Sequence, residues 1–237
     1  LQDLYAHLEN RVEARTRELQ AMNDIAGVVS RSLDLNEILS AALSKLLELT
    51  TLEAGTAYRL HPGGDQLTLM ARQGIADRSV PVLEEINLYD LVAPGELAQG
   101  ALVRSVEDLP EGPLRRLVLR EKWQQIVTMP LVSKDELLGV MNLRALYPRA
   151  VEEDERDLLS SIGRQIGVAM ENARLYEEAG RLAVAAERNR LAQDLHDSVT
   201  QSLFTASILA GVIPMILEED PEDGKRQLQK LAQLIRG

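Results

Sequence analysis

The chain lacks cysteine and is poor in aromatic residues, with one tryptophan, one phenylalanine and five tyrosines among 237 residues. The absence of cysteine excludes disulfides, iron–sulfur clusters, thiol redox sensing and a thioether-linked tetrapyrrole. The three histidines, His7, His61 and His196, lie far apart in the sequence and do not have the spacing of metal ligands. The sequence therefore predicts neither a metal site nor a cofactor site in this chain.

Basic residues are also scarce, because 26 lysines and arginines stand against 37 acidic residues and give a net charge of −11. A surface that binds nucleic acid needs a basic patch, so no nucleic-acid partner is expected. No run of apolar residues approaches the length that spans a bilayer, and no segment resembles a signal peptide. We expect a cytoplasmic location for this portion. Because Leu1 already lies within a helical pattern, we also expect this chain to be part of a longer protein. The sequence does not decide whether that protein has a membrane anchor upstream.

A histidine followed directly by an acid lies in the middle of a strong helical pattern, residues 187–204. The segment reads Glu-Arg-Asn-Arg-Leu-Ala-Gln-Asp-Leu-His-Asp-Ser-Val-Thr-Gln-Ser-Leu-Phe. Its apolar residues recur at every fourth position, as in an amphipathic helix: Leu191, Leu195, Val199 and Leu203. Successive helical residues point about 100° apart, so His196 faces away from the middle of that stripe. Asp197 and Gln201 are four residues apart and share one helix face.

This segment resembles the phospho-acceptor box of two-component sensor histidine kinases, in the subfamily that includes the nitrate and membrane-fluidity sensors. The resemblance implies that an imidazole nitrogen of His196 receives a phosphoryl group from ATP. It also implies that Asp197 is the base that orients the ring, and that Gln201 positions the water that dephosphorylates the partner's aspartyl phosphate. The competing interpretation is an ordinary surface histidine, and a match along the whole of residues 187–204 argues against it.

The first part of the chain, residues 1–33, is predicted to form a signalling helix or coiled coil. Leu1, Leu4 and Leu8 have heptad spacing, which favours a parallel dimer over a merely solvated amphipathic helix.

Residues 34–176 show the pattern of an α+β domain, with an antiparallel sheet and flanking helices. Asp34 is a predicted helix cap, and two hairpins follow, over residues 54–72 and 123–145. Pro130 indicates a bulge or an edge in the second hairpin. Short helices are predicted around residues 82–90 and 114–121. Three segments, residues 128–131, 138–143 and 152–155, follow one another as in a GAF sensor domain, and the domain that they resemble would lie between long helices.

The last part of the chain, residues 177–237, is predicted to be a helical hairpin. The helical pattern runs from Glu152 without a proline until Pro214, which is expected to bend the helix. The acidic segment 218–224 contains proline and glycine and predicts a loop, after which residues from Lys225 are again helical. Helix, turn and returning helix resemble the dimerisation and phosphotransfer domain of the kinases, shortened in its second helix. Two copies would form a four-helix bundle.

These features predict the sensor and phospho-acceptor portion of a homodimeric histidine kinase. A signal at the GAF domain would control ATP-dependent phosphorylation of His196, transfer to the receiver domain of a response regulator, and dephosphorylation of that regulator. Nothing after His196 resembles an ATP-binding domain, so ATP and Mg²⁺ are expected in the protein's own catalytic domain, outside this portion, which should be inactive alone.

The alternative function is a non-enzymatic GAF module for ligand binding and dimerisation, with a helical docking tail. The Asp197 and Gln201 pair beside His196 favours the kinase, because docking alone does not require it. A small-molecule ligand of the GAF domain is a further expected partner. The few aromatic residues favour a small apolar or amphipathic molecule, or no ligand at all, over a stacked purine. Trp123, the only tryptophan, is expected to report on the domain interior.

Overall fold

The computed structural model of the protein describes residues 15, 16 and 19–236. The chain divides into two compact units, one ending at Tyr176 and the other beginning at Glu177. The heptad positions Leu1, Leu4 and Leu8 of the predicted coiled coil lie outside the described residues.

Six helices carry the described chain: α1 over residues 19–29, α2 Leu35–Leu49, α3 Val80–Leu83, α4 Pro113–Arg120, α5 Glu153–Glu219 and α6 Pro221–Arg236. The predicted cap of α2 is confirmed. The Asp34 carboxylate accepts hydrogen bonds from the backbone N–H groups of Asn36, at 2.8 Å, and Glu37, at 3.1 Å. These bonds satisfy two of the amides that a helix leaves without partners in its first turn.

An antiparallel sheet of six strands forms the centre of the first unit. The strands are β1 Ala54–Leu60, β2 Gln66–Gln73, β3 Glu85–Asn87, β4 Leu102–Ser105, β5 Gln125–Ser133 and β6 Glu136–Ala145, in the order β3-β2-β1-β6-β5-β4. The two predicted hairpins are confirmed as β1–β2 and β5–β6. A register shift between Leu131 and Val132 places a bulge next to Pro130, in agreement with the pattern.

Two hydrophobic cores cover the two faces of the sheet. On one face α1, α2 and the first part of α5 contribute Ile25, Leu39, Leu43, Ile162 and Ile166. Helix α5 lies very close to β5 here, because a Cβ atom added to Gly163 would meet the Pro130 carbonyl oxygen at 2.3 Å. One added to Gly167 would meet the Val132 carbonyl oxygen at the same distance. On the other face, α3, α4 and their connecting segments form a cover over the sheet.

The structure corrects two predictions of local structure. The helix expected around residues 82–90 is instead the end of α3, the three-residue strand β3 and a 3₁₀ turn at Leu88–Asp90. A three-residue strand is too short to show a period-two pattern, which is why the sequence gives no sign of it. Helix α5 contains Pro214 and ends at Glu219, and the bend expected at this proline stays a prediction.

The acidic segment 218–224 is not a loop, because Asp220 alone separates α5 from α6. Its carboxylate accepts hydrogen bonds from the backbone N–H groups of Glu222, at 3.0 Å, and Asp223, at 3.1 Å. Pro221 occupies the first helical position, where its fixed φ is favourable and its missing N–H costs nothing. The following acids are stabilised at the positive end of the helix dipole. The composition that predicted a loop is therefore a helix start.

One helix of the described chain, α5, contains an 18-residue window with mean hydropathy 1.6, apolar enough to cross a membrane by length and composition. Only 6% of that window is buried in the structure. This is weak evidence for a membrane span, because a helix whose apolar face packs on another helix passes the same test.

Candidate functional site

His196 lies on α5 in the second unit, with its side chain exposed. Within the described residues, no hydrogen bond engages either nitrogen of its ring. The ring is therefore accessible to a reactant that approaches from solvent.

Asp197 and Gln201 lie on the same helix, and both side chains are exposed. Their spacing places them on neighbouring turns of one face. The backbone carbonyl of Gln201 accepts a hydrogen bond from the Thr205 hydroxyl at 2.9 Å, while its side-chain amide has no partner in the described part of the chain. No hydrogen bond joins His196, Asp197 and Gln201 to one another in the single chain as described.

A small ion-pair network precedes the histidine on the polar side of α5. The Arg190 guanidinium donates to the Glu187 carboxylate at 2.9 and 2.7 Å and to the Asp194 carboxylate at 2.7 Å. The hydrogen bonds from Arg190 hold the pKa of Glu187 below its ordinary value. Because these side chains are exposed, such pairs stabilise the helix only slightly. They keep the approach to His196 polar and solvated.

The apolar stripe predicted along this helix is uncovered in the single chain. Leu191 is 47% exposed, and the exposed fractions of Leu195, Val199 and Leu203 are 66%, 55% and 66%. Phe204, next to the last of these, is 67% exposed. A contiguous apolar surface of this kind marks an interaction site. Because successive helical residues point about 100° apart, His196 lies at the margin of the stripe, on the side of Leu203. A partner helix centred on Leu191 and Leu195 can therefore leave the imidazole accessible.

Towards its end, α5 packs against α6 within the second unit. Ile213 is 4% exposed, and a Cβ atom added to Gly224 of α6 would meet the Leu217 side chain at 2.6 Å. Gly224, expected in a loop, is therefore the point where α6 passes closest to Leu217.

No group of three or more histidine, cysteine or acidic side chains is placed to hold a metal ion within residues 15, 16 and 19–236.

A layer of buried polar residues in the first unit was missed by the sequence analysis. Thr56, Tyr58, Asn142 and Arg144 belong to the central strands β1 and β6, and each is at most 1% exposed. Asn142 pairs with Thr56 in β1, and Arg144 lies two residues further along β6. The only signal in the sequence is a pair of polar residues that alternate with Met141, Leu143 and Ala145 in a strand.

Two family models match this chain. A GAF domain model matches residues 32–171, and a histidine kinase model matches residues 187–237. The first covers the sheet and the helices around it, and the second covers His196, Asp197, Gln201 and the hairpin.

The chain is also similar to known proteins along most of its length. It is 28% identical over 214 residues to the sensor histidine kinase YhcY of Bacillus subtilis (strain 168), and this match covers 88% of the chain and 56% of the relative. The chain thus spans little more than half of that protein. Among solved structures it resembles the GAF domain of a phosphoenolpyruvate-protein phosphotransferase from Coxiella burnetii, at 18% identity and a TM-score of 0.55. That likeness covers 69% of this chain and 98% of the other.

A free methionine-R-sulfoxide reductase from Neisseria meningitidis is similar to the same extent, with a TM-score of 0.55 at 18% identity. The match covers 67% of this chain and 91% of the reductase. At this identity the two structural likenesses establish the fold alone.

Proposed function

This chain belongs to the GAF domain family, and we propose that it is the sensor and phospho-acceptor portion of a two-component sensor histidine kinase. The observation that carries the proposal is the exposed His196, directly followed by Asp197 and one turn before Gln201, in the segment that matches the histidine kinase model.

The proposed reaction uses the imidazole as a nucleophile. A neutral ring nitrogen of His196 attacks the γ-phosphorus of ATP, an N–P bond forms, and the bond to the bridging oxygen of ADP breaks. An aspartate of the response regulator then attacks the same phosphorus and releases the imidazole. ATP and Mg²⁺ are supplied by a catalytic domain that presents them to His196.

Asp197 and Gln201 have separate roles in this proposal. The Asp197 carboxylate accepts a hydrogen bond from one ring nitrogen and fixes the tautomer that leaves the other free to attack. Because the described residues show no such bond, we expect it to form when the ring is engaged with its reactant. Catalytic hydrogen bonds commonly tighten only in the reacting complex. The Gln201 amide orients a water molecule towards the aspartyl phosphate of the regulator.

Dimerisation is the second part of the proposal. The uncovered stripe of Leu191, Leu195, Val199 and Leu203 needs an apolar partner, and a second copy of the same helix supplies one by two-fold symmetry. Burial of such leucines contributes about 1.5–3 kcal/mol each. Since α5 begins on the core of the GAF unit and also carries His196, a signal that shifts its first part can change how the two copies present the histidine.

Phosphoryl transfer to the chain tests the proposal. The 237-residue chain is incubated with labelled ATP and a cognate ATP-binding domain, and acid-labile label is measured on wild type, His196→Gln and His61→Gln. His61 is the matched control, since it lies in the β1–β2 turn with a bond to Thr68 at 2.8 Å. Label is expected on wild type and His61→Gln only. Equal label on His196→Gln would refute the assignment and favour the alternative, a GAF module with a docking tail.

A further inference from the structure

The guanidinium of Arg144 is buried on the covered face of the sheet without a counter-charge. The side chain is 1% exposed, and no carboxylate pairs with it in the described part of the chain. Its one hydrogen bond is a long one, 3.4 Å from Nη2 to the Thr56 hydroxyl, and its Nε has no partner there. Arginine remains protonated in proteins, and a buried charge without an opposite charge is costly.

The neighbouring polar groups cannot balance this charge. Burial raises the pKa of the Tyr58 hydroxyl, against the opposing charge of Arg144, so Tyr58 is a neutral phenol at neutral pH. Its hydroxyl has no hydrogen bond of good geometry, and neither has the oxygen or the nitrogen of the Asn142 amide. Two polar side chains on the same face of the sheet as the guanidinium, each able to donate and to accept, therefore have bonding capacity that is not used.

A cavity of about 20 Å³ adjoins Arg144 beneath the cover. It is lined by Ser79, Leu83, Leu117, Glu121 and Trp123 together with Arg144. Glu121 is the acid of this wall, and its charge is already engaged. It accepts two hydrogen bonds from the exposed Arg78, at 3.1 and 3.2 Å, and one from Ser79 at 3.1 Å.

We propose that this cavity binds a small organic carboxylate, whose two oxygens accept hydrogen bonds from the Arg144 guanidinium. The planar fork of arginine matches a carboxylate in a bidentate arrangement, which a spherical halide does not offer. The few aromatic residues had favoured an apolar or amphipathic ligand, and the buried charge points to an anion instead.

The size of the cavity limits the ligand and requires the cover to yield. A space of about 20 Å³ holds little more than one water-sized group. Within the cover, Arg78 pairs with Glu121, which directly follows α4. Because Arg78 is 72% exposed, this ion pair stabilises closure only slightly. A short-chain carboxylate enters when residues 74–83 move outwards, and the cover then closes on it.

Trp123 provides a direct reading of binding, because it is the only tryptophan and it lines the cavity. Acetate, pyruvate and lactate are titrated at constant ionic strength into the 237-residue chain, with the corresponding amides as uncharged controls. We expect saturable changes in Trp123 emission with at least one carboxylate at millimolar concentration and none with its amide. Equal responses to acid and amide, or no response to any of the acids, would overturn the proposal. Saturable binding of chloride or phosphate alone would overturn the carboxylate assignment.

Substitutions then assign the site. Arg144→Gln should weaken binding by about tenfold or more, because a charge-assisted pair is lost. Arg144→Lys should retain part of the affinity, since it keeps the charge without the fork. Arg116→Gln removes the same charge from the exposed side of α4 and should leave binding unchanged. Unaltered affinity in a folded Arg144→Gln protein would refute the role of Arg144. If that variant does not fold, the difference between the responses of the wild-type protein to each acid and to its amide still tests the proposal.

The inference names the ligand class of the sensor domain proposed above. Binding is measured without phosphoryl transfer, so the failure of one proposal can be told from the failure of the other.

Discussion

The close approach of α5 to β5 predicts that replacing glycine by alanine changes the stability of the first unit in opposite directions at Gly167 and at Gly27. A Cβ atom at position 167 would lie 2.3 Å from the Val132 carbonyl oxygen and 2.6 Å from both the carbonyl carbon and the amide nitrogen of that residue. These are backbone atoms, so they cannot rotate away. Gly167→Ala therefore requires α5 to move from the strand by roughly 1 Å to restore ordinary van der Waals contact.

Two terms set the magnitude. Alanine is favoured over glycine in a helix interior by about 1 kcal/mol. Overpacking of a well-packed contact costs about 1–3 kcal/mol, and more where backbone must shift. We expect Gly167→Ala to destabilise the first unit by about 1–2 kcal/mol net of the gain in helix propensity. Gly27 is the control: it lies in α1 of the same unit, is exposed, and an added Cβ meets nothing within 4 Å. Gly27→Ala should stabilise by up to about 1 kcal/mol.

Urea unfolding followed by Trp123 emission measures both variants against wild type. With slopes of about 1–3 kcal/mol per molar urea, the midpoint should fall by roughly 0.3–2 M for Gly167→Ala. It should rise or stay constant for Gly27→Ala. A midpoint for Gly167→Ala at or above that of wild type, with an unchanged slope, would show that α5 does not depend on this contact.

Three further results are expected. Gln201→Ala should impair mainly the dephosphorylation of the regulator, whereas Asp197→Ala should impair both this reaction and the phosphorylation of His196. Both are measured with labelled phosphate, and a Gln201→Ala protein that loses only the phosphorylation of His196 would reverse these roles. Light scattering at micromolar concentration should give a dimer mass that Leu195→Glu, with its 66% exposed leucine, shifts to monomer, whereas a wild-type monomer would leave the stripe unexplained. The hydrogen bond from Arg78 lowers the pKa of Glu121, so this stabilisation is complete above the unfolded value of about 4.3 and is lost as the pH falls through the folded pKa. Glu121→Gln should therefore flatten the decline of urea midpoints below that pH, and an unchanged decline would count against the pair.

Local patterns predicted the hairpins well and their arrangement not at all. The β1–β2 turn contains proline, glycine and aspartate, and the β5–β6 turn is a short polar pair, Lys134 and Asp135, between two apolar runs. Both turns are therefore visible in a short window of sequence. The pairing of β1 with β6 joins residues far apart in the chain, such as Thr56 and Asn142, and no local signal encodes it. The same limit explains why the buried polar layer was missed, since its members meet only across that pairing.

The segment around His196 shows the opposite balance. Its motif could be recognised because it is contiguous and needs no tertiary contact, while the roles of its residues stay predictions. The prediction of a loop at residues 218–224 was wrong for a related reason. Aspartate followed by proline signals a turn and a helix start alike, and only the bonds from the Glu222 and Asp223 amides to the Asp220 carboxylate decide between them.

The short outer strands of the sheet have a consequence for how copies of this chain associate. Strands β3 and β4 have three and four residues, and β4 pairs only with Gln125–Thr128 of β5. The rest of β5, residues 129–133, pairs with no strand on this side and contains Pro130, whose nitrogen has no hydrogen to donate. Gly163 and Gly167 of α5 pack closely against this part of the strand. Exposed strand edges are the usual templates for edge-to-edge aggregation, and outer strands as short as β3 and β4 offer another strand few backbone groups to pair with. Apolar helices can therefore hold two such domains at high local concentration while these outer strands disfavour strand addition between their sheets.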